Sequence, residues 1–158
     1  MFQNQSRLLN AMGTLTPEQR CYIGMKYKEL FDTDLRDLMK SECGKKAFGL
    51  GLQMLALPPN EMEVSFLKRA AKGIGTDERL VHSIICGRSN KDMEILKKTF
   101  FRCYTKDLGG FMDSELGGNM EALIINCLQA AEEAYDPDYH TEDKMAEDVD
   151  ALYEMAQG

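Results

Sequence analysis

The chain has 158 residues, 44% of them apolar and 28% charged, with no tryptophan and a net charge of −7, a balance that fits a soluble globular protein with a real core. Residues 129–158 hold ten acids against one lysine, leaving 18 bases and 16 acids in residues 1–128, so the body is nearly neutral and nucleic acid is not an expected partner. No run of about 18 apolar residues is present to span a bilayer, and "MFQNQSRLLN" lacks the charged-then-apolar pattern of an export signal.

Helical periodicity dominates in chain order. "LTPEQRCYIGMKYKELF" opens with Thr16 as N-cap, Pro17 at the first helical position and Gln19 closing a capping box. Its apolar stripe is read as Tyr22, Met25, Leu30 and their neighbours. "TDLRDLMKSE" is a shorter helix, and "KKAFGLGLQMLAL", apolar nearly all round, reads as central and buried before Pro58 and Pro59 stop it. "EMEVSFLKRAAK" is helical up to Gly73, and "TDERLVHSIICG" follows with Thr76 or Asp77 as its cap. "SNKDMEILKKTFFRCY" starts from Ser89 or Asn90, and "KDLGGFMDSEL" and "NMEALIINCLQAAEEA" complete the set. "DPDYHT" is a polar linker, after which "EDKMAEDVDALYEMAQG" resumes a helical period with Val149, Leu152 and Met155 on one side. Alternating β-branched runs are missing, so the fold class is all-α.

The helices repeat. "DLRDLMKSECG" at 34–44 aligns without a gap on "DLGGFMDSELG" at 107–117, an offset of 73 residues that also pairs Tyr27 with Phe100 and Thr16 with Ser89. A weaker offset of 85 matches Val64, Leu67, Ala71 and Gly73 to Val149, Leu152, Ala156 and Gly158. The repeat is therefore about five helices, and the chain reads as a window on a longer array. It holds the last four helices of one copy, all five of the next and the first of a third.

Between two of these helices lies "KGIGTDE", residues 72–78. A bend between helices is the plain reading, and no GxxxxGK[ST] pattern supports a phosphate cradle. Glycine tolerates positive φ, so the carbonyls of Gly73 and Gly75 can turn outward together as neutral hard-oxygen ligands suited to Ca²⁺. The anionic ligand such a site needs can come from a second loop, and Glu115 in "DSELGG" is a candidate.

"KGIGTDE", "RSN" and "DSEL" at this spacing resemble an annexin repeat, and "KELFDTDLRDLMKSE" resembles the second half of another. The resemblance implies annexin-like five-helix repeats in a right-handed superhelical bundle. It divides the chain into a partial repeat over 1–57 (helices B to E), a complete repeat over 58–131, an acidic linker over 132–143 and the first helix of a further repeat over 144–158. It also implies a calcium site made by the main-chain oxygens of Ala71, Gly73 and Gly75 with both carboxylate oxygens of Glu115. A minor site would use the Thr76 carbonyl and the Glu78 carboxylate. Water or a lipid phosphate would fill the open positions, with Lys72 and Ile74 at the membrane contact. The implied function is calcium-dependent binding to anionic phospholipid membranes by a cytoplasmic protein that becomes peripheral to the membrane when calcium is bound. A calcium-independent helical scaffold, with self-association or cytoskeletal partners, is the second reading, because Glu42 has no glycine loop within the chain and Gly158 no following Gly-Thr. No nucleophile–base constellation suggests an enzyme.

Other signals read as structure. "DPDYHTEDKMAE" has Thr141 where a calcium-binding helix-loop-helix needs glycine, so it reads as solvated linker. His82 and Cys86, one turn apart, read as a core-facing pair rather than zinc ligands. Arg88 reads as a fork onto neighbouring carbonyls, and Phe100, Phe101, Phe111 and Met112 as core. Cys21, Cys43, Cys86, Cys103 and Cys127 are odd in number without CxxC spacing, and read as reduced, buried thiols.

Overall fold

A computed structural model describes residues 2–44, 46–72 and 75–157; the predicted site residues Gly73 and Ile74, and the repeat position Gly158, lie outside them. The described residues form ten α-helices and no strand. They are α1 (Phe2–Gly13), α2 (Pro17–Phe31), α3 (Leu35–Cys43), α4 (Ala47–Leu55), α5 (Pro59–Ala71), α6 (Glu78–Ile85), α7 (Asn90–Tyr104), α8 (Leu108–Glu115), α9 (Gly118–Leu128) and α10 (Glu142–Ala156). The 73-residue offset carries both ends of α2 onto both ends of α7, and the start of α3 onto the start of α8.

Local signals set the helix starts. The Thr16 hydroxyl accepts the Gln19 N–H at 3.3 Å while the Gln19 side chain accepts the Thr16 N–H at 2.9 Å, closing the predicted box. Ser89 caps α7 through the Asp92 N–H. Of the two candidates for α6, Asp77 is the cap, its carboxylate accepting the Leu80 N–H at 3.1 Å.

Burial centres on α5. Val64, Leu67 and Ala71 are at most 1% exposed, and α5 packs on α6 and α7 around Val81, Ile85, Leu96 and Phe100. α8 and α9 close this core with Leu108, Met112 and Ile124, each fully buried. Side chains of this size contribute about 1.5–3 kcal/mol apiece when removed from water. Polar ties flank the packing: Arg88 reaches Glu63 at 3.1 Å, Arg102 reaches Glu61 at 3.0 Å, and the Ser65 and Tyr104 hydroxyls lie 3.1 Å apart.

The α1–α4 segment has a smaller core of Met12, Leu35, Met39 and Leu52. No residue of α2 is fully buried, Tyr27 packing on this core half-buried. The predicted stripe of Tyr22, Met25 and Leu30 is 58%, 64% and 71% exposed, because α7 has α5 along it whereas α2 leans chiefly on α3. Within α4, Leu52 and Met54 are buried as expected, but Phe48 is exposed.

Three further expectations are corrected. Phe101 is 58% exposed beside a fully buried Phe100, since adjacent helical residues point about 100° apart and only one can face the core. His82 is exposed while Cys86 is half-buried; Cys86 stands just past α6 in an extended conformation, so helical spacing does not align the two. All five cysteines are free as expected, yet Cys103 is exposed and the other four are only half-buried. The Cys86 and Cys127 sulfurs lie 3.8 Å apart, and burial, followed by that thiol contact, pushes the Cys86 thiol up.

After α9 the chain runs without regular structure to a turn at residues 137–139. Asn90 clamps its start, donating to the Glu132 carbonyl at 2.7 Å and accepting the Glu132 N–H at 3.1 Å. The Asp136 carboxylate is turned onto the Asp138 N–H at 2.9 Å, the hydrogen bond of a polar turn. No helix of the described residues is long and apolar enough to cross a membrane.

Candidate functional site

The loop between α5 and α6 and the end of α8 meet. The Thr76 hydroxyl donates to the main-chain carbonyl of Glu115 at 3.2 Å, joining residues 39 positions apart. On the other side the Asp77 N–H donates to the Ala70 carbonyl at 2.9 Å, which folds the loop back onto the end of α5. Each link has a local cause. α5 ends where Lys72 turns extended, at φ −95° and ψ 123°. Gly75 has φ +87°, a left-handed backbone that glycine adopts without a Cβ penalty. Asp107 starts α8 by accepting the Gly110 N–H at 2.8 Å, which sets where Glu115 falls as its last residue.

Two helix C-termini, those of α5 and α8, thus converge on one place. Both ends point main-chain carbonyls this way, although those of Ala70 and Glu115 already accept the Asp77 N–H and the Thr76 hydroxyl, and the N-terminus of α6, capped by Asp77, lies beside them. The Glu115 side chain adds a formal charge, and no ion pair to it is present among the described residues. No group of three or more His, Cys, Asp or Glu side chains suited to a metal is found among the described residues, so a cation here depends on main-chain oxygens as well.

The predicted ligands are not equally open. Gly75 is exposed with nothing around its would-be Cβ, Thr76 and Glu115 are half-buried, and Glu78 is exposed in the first turn of α6. Ala71 is 1% exposed, so its oxygen is covered. Lys72 is exposed on the loop, and Arg79 adds a second exposed cation one residue into α6. An oxygen-rich donor set with one carboxylate suits a hard divalent cation of low affinity. Arg88, expected as a fork onto carbonyls, splits its contacts: Nε donates to the Ile84 carbonyl and the far nitrogen pairs with Glu63.

The annexin family model matches residues 63–127, which include both halves of this site. Annexin A13 of Mus musculus is 30% identical over 160 residues, covering all of this chain and 49% of its own length. The chain belongs to the annexin family. Among solved structures, chicken annexin V at 28% identity has a TM-score of 0.75, over 92% of this chain and 45% of that one. Calcium-bound annexin (Sm)1 shares the fold at TM-score 0.65 and 24% identity, over 81% of this chain and 39% of that one. The chain thus spans about half the length of the annexins it matches. Calcium and phospholipid binding are characteristic of this family.

The annexin comparison has an internal counterpart. Glu42, the 73-residue equivalent of Glu115, is also half-buried, and its carbonyl accepts a hydrogen bond from the Gln5 side chain at 3.2 Å. A side chain at the start of α1 therefore does at Glu42 what Thr76 does at Glu115. Nothing in the sequence pattern marked Gln5; a search for a donor 39 residues ahead of Glu42 falls at residue 3, two positions away.

Proposed function

We propose that this annexin chain binds anionic phospholipid surfaces in a calcium-dependent way through the loop at residues 71–76 and Glu115. The Thr76–Glu115 hydrogen bond supports the reading, because it ties the glycine loop to the main chain of the residue whose carboxylate the site would use. Main-chain oxygens of Ala71, Gly73 and Gly75 would hold the ion with the Glu115 carboxylate, and the Thr76 carbonyl with Glu78 would form the minor site. Calcium held by these oxygens would supply a divalent positive charge that attracts anionic phosphate. With a single carboxylate, the affinity without lipid is weak, about 10⁻⁴ M or weaker. Lipid and calcium then strengthen each other's binding, as linkage requires.

The chain's own residues do the positioning. Thr76 fixes the distance between loop and acid. Asp77 caps α6 and keeps the loop folded back on Ala70. Ala71 is covered, so its oxygen would have to become exposed before it could hold the ion. Lys72 and Arg79 face outward, and each adds roughly 1 kcal/mol of attraction near an anionic leaflet, while Ile74 would meet the acyl boundary. The same reading divides the chain into the partial repeat, complete repeat, acidic linker and single helix expected from sequence. It makes the protein cytoplasmic, and peripheral to membranes only with calcium bound.

Co-sedimentation with phosphatidylserine-containing vesicles tests the site. The wild-type chain pellets in calcium and stays in solution with chelator or with pure phosphatidylcholine, and Glu115→Ala loses most of the calcium-dependent fraction. Equal pelleting of wild type and Glu115→Ala in calcium overturns the assignment.

A further inference from the structure

We infer that Cys86 and Cys127 form a redox modification site, where a peroxide-class oxidant joins them in an intramolecular disulfide that fastens the end of α6 to the end of α9. The two sulfurs lie 3.8 Å apart although 41 positions separate them in the chain. Both thiols are free and half-buried, and no other pair of cysteine sulfurs is in contact among the described residues. A disulfide holds its sulfurs about 2.05 Å apart, so the remaining approach is about 1.8 Å. Both cysteines sit at helix ends, where such a shift is small. Cys86 stands just past α6 with an extended backbone, at φ −72° and ψ 144°. Gly87 follows it at φ +77°, with open space where a Cβ would be. Cys127 is the penultimate residue of α9.

The pair belongs to the complete unit alone. By the 73-residue offset its equivalents are Gly13 and Met54, so the α1–α4 segment cannot form the same bridge. α6 starts at its cap Asp77, directly after the glycine loop, and α9 starts three residues after Glu115. The two helices pack on each other, with Ile85 and Ile124 in one core, and end at the two thiols. A bridge there ties them at the end away from the loop, and closing a loop of this length restricts the unfolded chain. The chemistry balances. One thiolate attacks a peroxide oxygen and becomes a sulfenic acid, as the O–O bond breaks and a water leaves. The second thiol attacks the sulfenic sulfur, so that the S–S bond forms, the S–O bond breaks and a second water leaves. The two sulfurs have then given two electrons and two protons to one peroxide. Burial, then the contact with Cys127, pushes the Cys86 thiol up, which suits Cys86 to the second step, where its neighbour presents the oxidised sulfur to it. In a reducing compartment such a bridge is transient and lasts only while the oxidant does. None of this depends on calcium.

Oxidation of the 158-residue chain in chelator, at low protein concentration with a small excess of hydrogen peroxide, tests the inference. Remaining thiols are capped with N-ethylmaleimide and the peptides are mapped by mass spectrometry. The native chain yields a peptide cross-linked between Cys86 and Cys127, favoured about tenfold or more over any other pair, and dithiothreitol removes it. The same chain oxidised in concentrated urea loses that preference, because shorter loops such as Cys86 to Cys103 then close more readily. The bridged native chain melts about 5 °C or more above its reduced form. Cys127→Ala abolishes both the cross-link and the oxidant-dependent rise in melting temperature, whereas Cys103→Ala keeps both. Should Cys127→Ala fail to fold, a chain with Cys21, Cys43 and Cys103 all replaced by alanine retains only the pair and must still bridge. Uptake of N-ethylmaleimide by both Cys86 and Cys127 after Cys103 has been oxidised, equal cross-linking in native and urea-treated chains, or a bridged chain that melts no higher, each overturns the proposal.

Discussion

The segments α1–α4 and α5–α9 share a 73-residue register and differ in how much they bury. Phe100 is fully enclosed and Tyr27 is not; Leu96 is 2% exposed and Ile23 is 38% exposed. The backbone elements match, so local sequence does not explain the gap. The difference is α5, which lies along α6 and α7 and gives their apolar faces something to pack on, while α1 and α2 have no such helix among the described residues. In the complete unit α5 is the helix on which α6 and α7 pack, and the α1–α4 helices keep their shape around a smaller core.

Paired core truncations expose this difference most strongly. Phe100→Ala empties a fully buried site that also holds Tyr104 and Phe111 at ring-centre distances of 5.0 and 5.2 Å. It should cost about 3–5 kcal/mol in urea denaturation. Tyr27→Ala, at the equivalent position, should cost about 1 kcal/mol, because water already reaches the ring. Equal losses would break the comparison and show that something covers α2 in solution.

A second pair reverses the expected winner. Gly49 sits in α4 where a Cβ would run into the carbonyls of Cys43 and Gly44, while its equivalent in α9 is the exposed Ala122. The close approach also lets the Gln53 side chain donate to the Gly44 carbonyl at 2.9 Å. Gly49→Ala should therefore destabilise by about 1–3 kcal/mol through overpacking, despite its better helix propensity. Ala122→Gly should lose only the propensity, about 1 kcal/mol. Thermal or urea unfolding of both variants checks the sign: a stabilised Gly49→Ala would mean α3 and α4 are less tightly apposed.

Features with short-range causes were the legible ones. The Thr16–Gln19 box and the Ser89 cap depend on neighbours within a few residues, and the repeat offset depends on identity alone; Pro58 and Pro59, expected to stop α4, instead open α5, α4 having ended at Leu55. What failed was any inference about which face finds a partner. Phe101 looked as apolar as Phe100, and Tyr22, Met25 and Leu30 looked like a core stripe, but burial depends on a helix far along the chain. The site divides the same way. Gly75 is recognisable from its need for positive φ, and Glu115 from the need for a carboxylate from a second loop, whereas the hydrogen bond between Thr76 and Glu115, 39 residues on, had no signal. That Asp77 rather than Thr76 caps α6 follows from the same contact, since the Thr76 hydroxyl is engaged at Glu115. The Cys86–Cys127 contact had no signal, because residues 41 apart meet there only through tertiary packing.

The smallest effect separates two aspartates that look interchangeable. Asp107 and Asp34 are equivalent N-caps of α8 and α3, both extended at the cap position. Asp107 accepts the Gly110 N–H at 2.8 Å, while the Asp34 side chain makes no cap bond and pairs instead with Lys28 at 3.1 Å. Gly110 explains part of this, being small enough to let the carboxylate approach; its equivalent is Asp37, whose own negative charge repels Asp34. An engaged cap is worth about 1 kcal/mol, so Asp107→Ala should lose about that much. The Lys28 pair is exposed, so Asp34→Ala should cost less, at most about 0.5 kcal/mol, and that loss should fade in high salt. The Asp107→Ala loss should persist in salt because it leaves a helix N–H without its acceptor. If both losses fade equally in salt, the two caps work by charge alone, and the difference between the segments lies only in their cores.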